Sequence, residues 1–123
     1  MPEVKRGKKV YELQVSLRGS QSLIWRRVQV LNDITLFRFH NILQLVMGWT
    51  NSHLHQFLVG QTYYGEPDPE YGADHADDRR VRLSRVLRKP QDAMVYEYDF
   101  GDGWEHDIVL ERIVDPDPGA QYP

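Results

Sequence analysis

Met94-Val95-Tyr96-Glu97-Tyr98-Asp99-Phe100-Gly101-Asp102-Gly103-Trp104-Glu105-His106-Asp107-Ile108-Val109-Leu110 decides the fold. Met94, Tyr96, Tyr98 and Phe100 alternate with smaller or polar neighbours, which is the period of a half-buried strand. Trp104, His106, Ile108 and Leu110 repeat that pattern. Gly101-Asp102-Gly103 between the two runs predicts a tight hairpin, because glycine tolerates positive φ. The spacing therefore predicts antiparallel strands over 94–100 and 104–113, closed by a two-glycine turn.

Working outward, Tyr11, Leu13, Val15 and Leu17 alternate with Glu12, Gln14, Ser16 and Arg18 and predict a strand. Residues 24–31 are rich in β-branched and aromatic side chains and predict another. The short Gly19-Ser20-Gln21-Ser22 connection makes these two a hairpin. Thr35 is placed to cap a helix. Leu36, Phe39, Leu43, Val46 and Met47 then share one stripe at helical spacing, with Ile42 at its edge. Gly48 is placed to end that helix in the left-handed conformation. Residues 53–59 predict a strand with His53, His55, Phe57 and Val59 on one face, and 62–64 its short partner. Residues 65–78 read as a long acidic loop containing Pro67 and Pro69. A short helix is expected from Ser84, ending before Pro90. Strands do not alternate with crossover helices, so the class is α+β. The expectation is a mostly antiparallel sheet of five to six strands packed on one main helix.

Composition bounds the rest. The chain has 123 residues, 41% hydrophobic and 27% charged, with no cysteine. This fits a single globular domain over 10–123 preceded by a flexible basic arm over 1–9. Disulfides and thiolate metal sites are excluded. No apolar run reaches the roughly 20 residues of a membrane span, and no signal-peptide core is visible. The expected compartment is the cytoplasm. The net charge of −3 is unevenly spread. Six carboxylates fall within 66–78, and six cations, Arg79 to Lys89, follow directly. Eight carboxylates against Arg112 alone mark 97–117. Most such charge is solvated surface, but an uninterrupted basic strip is also what touches phosphate.

Several motifs occur in order: Ile24-Trp25-Arg26-Arg27, then Met47-Gly48-Trp49, then His53-Leu54-His55-Gln56-Phe57. Tyr64-Gly65-Glu66-Pro67-Asp68-Pro69-Glu70-Tyr71-Gly72 and Tyr98-Asp99-Phe100-Gly101-Asp102-Gly103-Trp104-Glu105-His106 complete the set. In this order the chain resembles the Ri-plasmid ORF-3-like family, also labelled TnpR-type passenger proteins of insertion elements. The resemblance implies a compact prokaryotic α+β domain of uncharacterised activity. It also implies a longer domain, continuing with a cysteine-containing segment, so the C-terminal part of the family domain is expected to be absent here. The resolvase suggested by the label finds no support in the residues. Ser16 and Arg18 lie on an ordinary polar strand face, without the arginines that hold a scissile phosphate.

Two constellations could carry function. His53 and His55, two apart on one expected strand, point the same way and suit a Zn²⁺ or Mn²⁺ ion. His106 would add a third imidazole, and Asp99 and Asp102 carboxylates; an open position would activate water. The competing reading makes these hydrogen-bonded core histidines, and His40, inside the apolar stripe of the helix, reads the same way. Asp99-Phe100-Gly101 spells a kinase metal tripeptide, but the chain lacks the other kinase motifs. Arg79, Arg80, Arg82 and Arg85 form the candidate binding strip, with Arg27 beside Trp25 as a further contact. One of Arg26 and Arg27 is expected to pair with a carboxylate of the C-terminal hairpin. Arg26 is favoured for a partly buried pair because it shares a face with Ile24 and Val28.

The leading expectation is thus a non-enzymatic binding module associated with mobile elements, without cofactor, contacting nucleic acid or a protein partner and not a membrane. A homodimer formed through an exposed sheet edge is a further candidate. The alternative is a metal-dependent hydrolase built on His53, His55, His106, Asp99 and Asp102.

Overall fold

The computed structural model describes residues 8–19, 24–67 and 75–123. The expected arm and the 20–22 turn lie wholly or mostly outside these residues. In chain order the elements are β1 (Val10–Leu17), β2 (Trp25–Leu31), α1 (Leu36–Met47), β3 (His55–Val59), β4 (Thr62–Gly65) and β5 (Ala76–Asp77). They are followed by α2 (Leu83–Val86), β6 (Ala93–Tyr98) and β7 (Trp104–Val114). The strands form one seven-stranded sheet in the order β2-β1-β7-β6-β3-β4-β5. Every neighbouring pair is antiparallel except β4 and β5, which run parallel.

The α+β class holds, but among the described residues the sheet has seven strands rather than the expected five to six, and beside the one main helix stands a second, the short one expected from Ser84. The added strand, β5, is two residues cut from the acidic loop, too short to show a period. The second helix is one turn, opening at Leu83 rather than Ser84, with no side-chain cap on Arg82.

The alternation places Tyr11, Leu13 and Val15 of β1, Met94, Tyr96 and Tyr98 of β6 and Ile108 and Leu110 of β7 in the core. Leu36, Phe39, Ile42 and Leu43 of α1 cover that face. Burying such side chains contributes roughly 1.5–3 kcal/mol each. Thr35 caps α1 through its Oγ1, which accepts the Arg38 N–H, and Gly48 closes it with φ of 78°.

The first turn of α1 is also tied down from outside the helix. Leu36 N–H donates to the Val81 carbonyl at 2.8 Å and Phe37 N–H to the Asp78 carbonyl at 3.0 Å. Two of the helix's orphan donors are thereby satisfied by the 78–82 segment, which fixes that segment against α1. Among the described residues no helix is long and apolar enough to cross a membrane.

Two boundaries matter for function. β3 begins at His55, not His53, because the chain before it turns through Asn51 at φ of 57°. His53 and His55 therefore do not share a strand face. β6 ends at Tyr98, one residue before Asp99, whose φ is 64° and whose carbonyl accepts the Gly103 N–H at 2.6 Å.

Candidate functional site

His40 is buried on the inner side of α1, and its surroundings determine its proton. The Gln44 side-chain amide donates to the Tyr96 hydroxyl oxygen at 2.8 Å. That hydroxyl stands 2.6 Å from His40 Nδ1, so it donates there. Nε2 of His40 then carries the hydrogen and donates to Asn51 Oδ1 at 2.8 Å. Asn51 N–H closes the circuit by donating to Gln44 Oε1 at 2.7 Å. With His40 neutral, every hydrogen of this four-membered circuit, that of the Tyr96 hydroxyl included, meets an acceptor. Burial, then the neighbouring His55, push its pKa down from 6.5 to about 4. Burial likewise raises Tyr96 above the ordinary phenol value, so it stays a proton donor.

His55 enters from β3 and lies flat against His40, ring centroids 3.5 Å apart. Its Nε2 is 2.6 Å from Asp78 Oδ2, the separation of a charge-assisted bond. Asp78 has 0% of its surface exposed. Its other oxygen has no hydrogen-bond partner among the described residues. A buried carboxylate held by one bond is costly; here it locks the His55 ring. His55 Nδ1 has no partner among the described residues, and His55 lines a cavity of about 390 Å³. Phe37, Asn51, His53, Glu66 and Arg79 also line it. The Arg79 guanidinium sits over the Phe37 ring, 4.2 Å from its centroid.

The expected histidine and aspartate set is not gathered into one centre. His53 is 53% exposed at its side chain and stands 3.7 Å from Asp99 Oδ2, beside a second cleft of about 470 Å³. Asp102 is exposed in the hairpin turn, its N–H donating to Asp99 Oδ1 at 3.4 Å. His106 is buried, and both its nitrogens are engaged. Trp49 Nε1–H donates to Nε2 at 3.2 Å, so Nδ1–H donates to the Tyr96 carbonyl at 3.1 Å. Burial pushes its pKa down, and no lone pair is left for a metal. Among the described residues no group of three or more histidines, aspartates or glutamates is arranged to hold a metal ion.

The arginines divide into two kinds. Arg27 pairs with Glu111 at 2.8 Å, which raises its pKa, as Arg18 pairs with Asp107 and Arg112 with Glu12. The pairing with the C-terminal hairpin thus falls to exposed Arg27. Arg26, expected in a partly buried pair, is exposed and donates to the Trp25 carbonyl. Its sheet position, beside Val28 in sequence pattern, is on an uncovered part of β2. Arg79, Arg80, Arg82 and Arg85 are all exposed. Of these, only Arg80 has a carboxylate partner among the described residues, Asp77 at 3.7 Å. Arg82 donates to the Asp33 carbonyl at 2.7 Å.

Asp78, Asn51 and Gln44 went unnoticed in the sequence. Asp78 is the last of six carboxylates in an acidic run, and nothing local separates it from its solvated neighbours.

A curated relative, the uncharacterized protein y4hQ of Sinorhizobium fredii (strain NBRC 101917 / NGR234), is 44% identical over 115 residues, 93% of this chain. The chain spans only 59% of that relative's length. The crystal structure of MM3350 from Methanosarcina mazei Go1, a protein of unknown function, superposes with a TM-score of 0.84 at 32% identity. That match covers 94% of this chain and 67% of the other. Residues 9–123 match the model of the plasmid pRiA4b ORF-3-like protein family, and the chain belongs to that family.

Proposed function

We propose that this domain is a non-enzymatic binding module whose contact surface for nucleic acid is the strip Arg79, Arg80, Arg82 and Arg85. One observation carries the reading: Arg79, Arg82 and Arg85 are exposed and have no carboxylate partner among the described residues, whereas Arg18, Arg27 and Arg112 are each neutralised by one. Docking of the 78–82 segment on α1 supports it, because it holds the strip beside Arg38, exposed on the first turn of the helix. Fixed cations lose less entropy on meeting a phosphate backbone than cations on a free arm. Arg27 is left out because Glu111 already occupies it. The plasmid named in the family's description suits such a partner, and an association with mobile elements belongs to the same proposal.

The test is fluorescence anisotropy with labelled duplex DNA and RNA across a salt series. Binding should weaken linearly in log salt, and Arg82→Gln or Arg85→Gln should each reduce the slope by about 1. Arg27→Gln should leave it unchanged. Binding that ignores salt, or that survives both strip substitutions, overturns the reading. Absence of any nucleic-acid binding would point to an acidic protein partner instead.

A further inference from the structure

We propose that the cavity between the first turn of α1 and the start of β3 is a binding site for a small organic oxyanion, held between His55 and Arg79. This goes beyond the nucleic-acid reading and does not depend on it, although Arg79 serves both.

The two ends of the cavity supply the donors. At the inner end, Asp78 fixes His55 Nε2 at 2.6 Å. His40 fixes the plane of the same ring by stacking at 3.5 Å, with 10° between the planes. His40 is itself held by the circuit through Tyr96, Gln44 and Asn51. The His55 ring thus has one edge bonded and both orientation angles set, and Nδ1 is the edge without a partner among the described residues. In its imidazolium form the ring donates to Asp78 through one nitrogen and offers a second N–H at Nδ1, so an oxyanion bound at that edge stabilises this form. At the outer end, the Arg79 guanidinium is stacked on Phe37, so it is positioned, and no carboxylate pairs with it among the described residues. Charge-assisted donors with locked geometry are how proteins hold carboxylates and phosphates.

The cost of the arrangement points the same way. A carboxylate with no exposed surface and one oxygen unpartnered among the described residues destabilises the fold relative to an apolar side chain of similar size. A purely structural role for His55 would be filled better by an apolar residue beside Phe57. Preorganising a donor for a ligand gives the buried pair a purpose. The cavity, about 390 Å³, lies within the range of small-molecule sites. Phe37 and the two stacked imidazoles offer flat apolar surface, and Glu66 is the one carboxylate among the described lining residues. The matching ligand is compact, with an aromatic or otherwise flat body and one oxyanion.

The test uses the whole chain and histidine side-chain NMR. Phenyl phosphate, benzoate and neutral benzyl alcohol are titrated separately at constant ionic strength. Saturable shifts of the His55 signals are expected with phenyl phosphate, and with benzoate if a carboxylate satisfies the same donors. Arg79→Gln, a surface change that should leave folding intact, should weaken the affinity about tenfold, the value of one charge-assisted bond. His55→Gln should abolish the saturable response, read from backbone amides of 51–55. Arg82→Gln and Arg85→Gln should leave it unchanged, which separates this site from the strip. Benzyl alcohol binding as well as the anions, or an affinity indifferent to Arg79→Gln, overturns the proposal. So does a lack of saturation with both anions.

Discussion

His40 and His55, fifteen positions apart in sequence and on different elements, stack with ring centroids 3.5 Å apart and only 10° between their planes. Two imidazolium rings cannot sit so close in a buried site without strong repulsion. The structure resolves this by assigning His40 a proton acceptor role at Nδ1, set by the Tyr96 hydroxyl. Of the two rings, His55 is the one that faces a carboxylate, Asp78 Oδ2 at 2.6 Å.

Tyr96→Phe removes one oxygen and breaks two bonds of the circuit at once. The Gln44 amide and His40 Nδ1 are left buried without their partner, at a cost of about 2 kcal/mol. Urea unfolding should show a lowered midpoint with an unchanged m-value. A variant as stable as the parent would mean that the circuit contributes nothing net.

The pH dependence follows from His40. Its folded pKa is about 4, against 6.5 ordinarily. The folded state therefore binds this proton less readily than the unfolded chain. The stability it contributes is complete above pH 6.5 and is lost as pH falls from there towards 4, up to about 3 kcal/mol. His106, also shifted down by burial, adds in the same direction. Denaturant unfolding at a series of pH values should show this decline, and His40→Gln should flatten it. A His40 NMR titration with a midpoint near 6.5 would refute the assignment.

Gly65→Ala should be disruptive although the residue is not at positive φ. A Cβ there would stand 3.0 Å from His75 Nδ1 and 3.1 Å from the His55 carbonyl oxygen. The backbone oxygen belongs to β3 and cannot move alone, so overpacking costs about 1–3 kcal/mol. Because the strain falls on His55, the His55 side-chain signals should shift too; thermal denaturation and the same NMR spectra check both.

The ends of α1 can be tested separately. Thr35→Ala removes the acceptor for the Arg38 N–H and should cost about 1 kcal/mol. Gly48→Ala forces a side chain into φ of 78° and should cost a similar amount, about 1 kcal/mol. The two sites are at opposite ends of the helix, so the double variant should be additive within about 0.5 kcal/mol.

Much of the fold was legible because its signals are local. Thr35 and Gly48 bracket α1 in sequence as they do in space, and the alternations around Gly101 and Gly103 became β6 and β7. The short helix expected from Ser84 begins one residue earlier, at Leu83. The failures have physical causes. β5 is two residues long and owes its existence to pairing with β4, which no periodicity announces. The alternation that continues through His53 predicts a strand there; the left-handed turn at Asn51 releases it instead. Strand parity favours Arg26 for the ion pair, but the choice of partner depends on Glu111, across two strand pairings.

The sequence alone determined the class, the principal helix with both its caps, the antiparallel hairpins and the segregation of charge, since each rests on neighbours within a few residues. It also brought forward His53, His55 and His106 as residues of interest. Only the tertiary structure decided what they do: it paired His55 with Asp78 and His40, gave both nitrogens of His106 to Trp49 and Tyr96, and left His53 at the surface. The reason is that an imidazole's role is set by the groups at its two nitrogens, and for His55 and His106 those groups come from residues 10 to 57 positions away. No spacing along the chain encodes them.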